Sequence, residues 1–152
     1  FPRRMPVFIG KVVVCLAWIT AAFLLSLVVS ALIFWPQTSI IAHPDGMASF
    51  AAFMLRAWLF LMGFCLVVFA VTVLTRILAL GVIIPLLLAV VVENLITSLA
   101  GSWVPWIGKV LPFTSGNGFM AGEDMLRNGL VYLLWVGALV VAALVVFERR
   151  DA

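Results

Sequence analysis

Four long apolar runs, separated by short polar breaks, make up most of this chain. The first, Val12 to Trp35, has 24 residues. As a helix it would be about 36 Å long, enough to cross a bilayer core of about 30 Å. The second lies within Met47 to Thr75 and is interrupted at Arg56, which snorkels to one interface if the span is taken as 56–75. The part before Arg56, with Phe50, Phe53 and Met54, extends that helix along the surface. The third run is 77–100 and the fourth 125–147, with Asp124 placed to cap the last helix. The breaks differ in kind. PQTSIIAHPDG, from Pro36 to Gly46, is a turn-rich loop. Arg76 alone separates the second and third runs, which marks a tight turn. Residues 101–123 form a Trp-, Pro- and Gly-containing loop too apolar for ordinary solvent exposure.

Composition agrees with this pattern. The chain has 152 residues, 66% hydrophobic and 10% charged, with a mean hydropathy of +1.32. Soluble domains are about 45–50% apolar and about 25% charged, so lipid is the expected solvent. The reading is one all-α transmembrane domain over residues 1–152. Its basic residues form no stripe of the kind that binds nucleic acid. They are arranged instead by side. Arg3, Arg4, Lys11, Arg76, Arg149 and Arg150 fall at one end of the spans, and Arg56, Lys109 and Arg127 at the other. The positive-inside rule then makes both termini cytoplasmic. Small residues four apart, Ala17/Ala21 and Ser26/Ser30, permit close helix packing in the first span, and Trp18 and Trp35 suit interfacial anchoring.

Catalytic and cofactor chemistry finds little support. GSWVPWIGKV, from Gly101 to Val110, lacks the glycine spacing and the Ser or Thr of a phosphate-binding loop. Gly116-Asn-Gly118 opens no dinucleotide fingerprint, since no strand precedes it. His43 is the only histidine, and Cys15 and Cys65 lie inside apolar runs as packing residues. No metal site, no resident cofactor and no catalysis by this chain alone are expected.

Glu93 with its neighbour Asn94 stands out. Glu93 is an acidic residue inside an apolar run, 17 residues beyond Arg76, about 25 Å along a helix. Such a group must face protein or a wet cavity. One reading makes it a hydrogen-bond partner of the returning loop, for instance of a Trp indole N–H or of free amides at a helix start; the other puts it on a substrate or proton route. In the loop, Ser102 is placed to cap a short helix with Pro105 in its first turn, Trp103, Trp106 and Val110 on one face, and Pro112 at its end. Pro85 predicts a kink near Gly81–Pro85 in the third span.

Taken together, this order resembles the C-terminal part of ABC transporter permeases of the type-2 exporter class. The residues that carry the resemblance are the basic segment Arg3, Arg4 and Lys11, the tight turn at Arg76, Glu93 and Asn94 late in the third span, and Trp106 through Leu111, Pro112 and Phe113. The closing span completes the match. The resemblance implies four spans plus a re-entrant or extracellular helical hairpin over 101–123 acting as an outer gate. It also implies a multi-pass place in a bacterial-type cytoplasmic membrane and pairing with a second permease copy. ATP and Mg would sit on a separate ATP-binding cassette subunit, coupled through Arg3, Arg4 and Lys11. Such permeases usually carry six spans. Two more would therefore precede Phe1 or come from another polypeptide. The alternatives are a non-catalytic structural subunit of a larger membrane complex and an ion-coupled carrier.

Overall fold

A computed structural model describes residues 5–34 and 46–149. Arg3, Arg4, Trp35 and His43, and the loop from Pro36 to Asp45, lie outside the described residues. The chain is an all-α membrane protein. Helix α1 spans Met5–Phe34 and α2 Gly46–Thr75. The third span is continuous from Leu78 to Ala100 but built in three pieces: α3 (Leu78–Leu87), a π-helical turn (Leu88–Val92) and α4 (Glu93–Ala100). A 3₁₀ turn (Ile107–Lys109) and helix α5 (Pro112–Ala121) follow, then α6 (Met125–Arg149). The four long apolar stretches measure 29, 27, 23 and 25 residues, each enough to cross about 30 Å of hydrocarbon.

Two helices start earlier than the apolar runs suggest. α1 begins at Met5 rather than Val12, with Pro6 in the first turn, where its missing N–H has no helical partner to lose. α2 begins at Gly46, so the surface extension and the span around Arg56 are one helix. The α2–α3 connection is the tight turn that Arg76 predicts. Arg76 adopts φ 60°, and its amide donates to the Thr72 carbonyl at 2.8 Å. This left-handed residue closes α2 and reverses the chain. Beyond it, α3 packs closely on α2. A Cβ on Gly81 would run into Thr72, 2.9 Å from its Cα.

Where the kink is expected, near Gly81–Pro85, the helix hydrogen bonding becomes irregular just beyond the proline. Pro85 sits inside α3, buried, and the irregularity follows it as the π turn. The Glu93 amide donates five residues back, to Leu88. Proline withholds a donor and crowds the preceding turn, and a widened turn is one way a helix absorbs this.

The core lies between α2, α5 and α6, not at the centre of four equal helices. Val67, Val71, Phe113, Tyr132 and Val136 form it, with Phe60, Phe64 and Ile84 packed around them. Phe60 stacks on Tyr132 at 5.4 Å, and Phe64 lies 5.6 Å from Phe113. α1 packs mainly against α2. Its small pairs Ala17/Ala21 and Ser26/Ser30 are exposed, so they serve no contact within the described chain. Cys15 and Cys65 are both free; the Cys65 thiol lies 3.9 Å from the Cys15 carbonyl across α1 and α2.

Candidate functional site: the re-entrant helix and its carboxylate cap

α5 runs back into the bundle. Phe113 at its start lies against Phe64, Gly116 against Phe60, and Gly122 at its end against Arg56. On α6 the same sequence of levels reads Val136, Tyr132 and Asn128. The start of α5 is therefore level with Phe64, about 12 Å below Arg56 along α2. Residues 101–111 descend to that depth and α5 climbs out again. Its N-terminus, the positive end of the helix dipole, points into the middle of an apolar bundle.

That location would leave backbone donors stranded, and the sequence accounts for every one in the first turn. Pro112, at the first position of α5, has none to satisfy. The Phe113 amide donates to Glu93 Oε1 at 2.9 Å, and the Thr114 amide to Oε2 at 2.6 Å. The Thr114 hydroxyl adds a third bond to Oε2 at 2.8 Å. The Ser115 amide donates to the Leu111 carbonyl at 3.0 Å, and its hydroxyl to the Lys109 carbonyl at 3.3 Å. Glu93 is 2% exposed. Its negative charge meets two N–H groups and a helix N-terminus, the arrangement that makes a buried carboxylate tolerable. Of the two roles open to Glu93, the hydrogen-bond partner of a helix start is the one whose geometry is present.

Asn94 does not share this site. It is exposed, and its amide nitrogen donates to the Val90 carbonyl in the π turn at 2.7 Å. The helix expected after Ser102 is also corrected. Residues 101–106 are turns, with Trp103 and Trp106 exposed to 87% and 63%, and only Ile107–Lys109 are helical. Pro112 does not end a helix but begins one, after Leu111 in an extended conformation (ψ 137°). Pro105 is exposed in the turns, and Phe113 is buried in the core. The stretch TSGNGFMA, taken from the sequence as part of a loop, is helical.

That stretch has poor helix propensity, and packing overrides it. A Cβ at Gly116 would lie 2.6 Å from the Phe60 ring, and one at Gly118 would lie 2.5 Å from Asn128. The glycines let α5 sit against α2 and α6. α5 then stops in a Schellman motif. Gly122, at φ 86°, lets the Glu123 amide reach the Gly118 carbonyl (2.8 Å) and its own amide reach Phe119 (3.1 Å).

Three side chains of α6 hold the element from the other side. Tyr132 donates its hydroxyl to the Phe60 carbonyl at 2.8 Å. Asn128 donates to the Glu123 carbonyl at 2.6 Å, and Trp135 donates to the Val110 carbonyl at 2.8 Å. None of these three, nor Thr114, stands out by sequence pattern. Asp124, expected to cap α6, has φ 38° and pairs with Arg127 at 3.3 Å. Arg56 packs beneath the α5–α6 turn, 3.6 Å from the Met125 sulfur.

At the opposite end of the bundle, Lys11 and Arg76 are exposed and line one groove with Thr72 and Phe147. Among the described residues no three His, Cys, Asp or Glu side chains converge as a metal site. The arrangement around Glu93 fixes the start of a half-inserted helix by hydrogen bonds and electrostatics. No protein-family model, no curated protein and no solved structure matches this chain.

Proposed function

We propose that this chain is the transmembrane permease part of an ATP-driven exporter of the ABC type-2 class, with ATP hydrolysed by a separate subunit. The observation that carries this reading is the re-entrant helix α5, clamped at its buried start by Glu93 of the third span and wedged between α2 and α6. Non-helical backbone at membrane depth is tolerated where protein buries it or where it lines a path. A short helix fixed there, with its aromatic turns at the outer surface, is suited to close the upper end of a transport route. The described helices keep most of their apolar side chains outside, on α1 and the third span above all. A second permease copy, together with lipid, would cover these faces, and the route would run between copies. The basic N-terminal segment would lie on the side of the ATPase subunit, with Arg3 and Arg4 nearest to it and Lys11 at the membrane edge, and both termini cytoplasmic by the distribution of basic residues.

Purification from native membranes tests the reading. An ATP-binding cassette subunit should co-purify in a fixed ratio with two permease copies. Its absence, with the complex otherwise intact, would sink the proposal. The exposure of nearly the whole of α1 also favours a second reading, a non-catalytic subunit that packs against a larger complex. In that case α1 crosslinks to unrelated membrane chains, and no ATPase accompanies it.

A further inference from the structure

The groove at the Lys11–Arg76 end carries the furthest inference, and it does not depend on the transport reading. Its volume is about 520 Å³, between α1, α2 and α6. Lys11 and Arg76 stand in it beside Thr72 and Phe147. Neither cation has an ion pair among the described residues. A second groove of about 450 Å³ shares Lys11 and Phe69 with the first and continues along α1 past Val7, Gly10, Val14 and Cys15. Those positions are one face of the α1 helix. The floor is firm: Phe8, buried, lies 5.3 Å from Phe69 and 5.6 Å from Phe147.

The geometry points to a binding site for one anionic phospholipid. Lys11 and Arg76 meet the phosphate, and an acyl chain lies in the apolar groove beside Gly10, Val14 and Cys15. Charge complementarity selects the occupant. Two cations with no ion pair among the described residues, at the edge of an apolar membrane surface, attract an anionic headgroup, each by an amount worth roughly fivefold in affinity. A free phosphate has no use for the long apolar extension, and a zwitterionic lipid brings a choline cation that offsets the attraction of its phosphate to the two basic groups. Gly10 borders open space in this groove, since a Cβ there would meet nothing within 4 Å.

Native mass spectrometry of the full protein in detergent tests this, with phosphatidylglycerol and phosphatidylcholine of matched chains and inorganic phosphate as probes. Phosphatidylglycerol should bind with one-to-one stoichiometry and exceed phosphatidylcholine by at least about tenfold. Lys11→Gln and Arg76→Asn should each lower that affinity roughly fivefold; asparagine tolerates the left-handed backbone at position 76. Gly10→Leu retains both charges, suits a helix and fills the channel, so it should lower lipid binding with no loss of folding. Equal binding of the two lipids would overturn the proposal, as would full competition by millimolar phosphate. Unchanged phosphatidylglycerol binding in Gly10→Leu would do the same.

Discussion

Thr114 gives Glu93 both of its donors. Its amide lies 2.6 Å and its hydroxyl 2.8 Å from the same carboxylate oxygen, across a break of 21 residues. Together with the Phe113 amide, this makes Glu93 the cap of a helix on another segment. Glu93→Ala strands the Phe113 amide in an apolar setting, and the expected loss is about 2–3 kcal/mol. Glu93→Gln keeps an acceptor without the charge and should lose about 1 kcal/mol. Thermal unfolding in detergent measures the order; a Gln variant as unstable as the Ala variant would contradict the capping account.

Gly81 lies where α3 packs closely on α2 at Thr72. Gly81→Ala should destabilise by about 1–3 kcal/mol through overpacking on Thr72. Thr72→Ala removes the side-chain part of the clash but not the 2.9 Å approach to the Thr72 backbone. The double variant should therefore recover only part of the loss, which a double-mutant cycle on unfolding resolves.

Tyr132→Phe deletes the hydroxyl bonded to Phe60 while keeping the stacked ring. The expected loss is about 0.5–1.5 kcal/mol, the range for one interhelical hydrogen bond in a membrane. A drop as large as that for Tyr132→Ala would mean that the hydroxyl, not the ring, holds α6 on α2.

Gly122→Ala forces a side chain into the left-handed region and toward Arg56, whose Nη1 would lie 2.6 Å from the new Cβ. A loss of about 1–2 kcal/mol is expected. Arg56→Met in the same background should return part of it, as read by thermal unfolding.

Trp103 and Trp106 project away from the core, so their replacement by alanine should change stability by no more than about 0.5 kcal/mol. Under the exporter reading, Trp106→Ala impairs transport in vesicles containing the ATPase subunit while assembly persists. Loss of assembly in proportion to transport would favour a purely structural role for these turns.

The spans were legible in the sequence because lipid demands long apolar runs and tolerates few charges; Arg76 marked its turn for the same reason. The need of Glu93 for a partner was also legible, since a buried carboxylate must find donors. Which donors it finds was not. Pro112 ends helices as readily as it begins them, and a stretch with Gly116 and Gly118 reads locally as open loop. Only the proximity of Phe60 and Asn128, both distant in sequence, shows that those glycines serve a tightly packed helix. Tyr132 and Trp135 escaped notice because their partners are backbone groups of other segments, and Thr114 because its partner is a carboxylate 21 residues away; no residue pattern records either.

The π turn has one more effect, on rotational phase. A regular helix returns to nearly the same face after about seven residues. From buried Pro85, which faces α2 with Gly81, that count ends at Val92, an exposed residue. The extra residue accommodated by the π turn moves the return to Glu93. Deleting one residue from Leu88–Val92 would turn everything beyond it by about 100°, and the carboxylate would swing from the start of α5 toward the lipid. A single added residue thus lets one span keep its glycine–proline face on α2 and still deliver an acid to the helix that re-enters beside it.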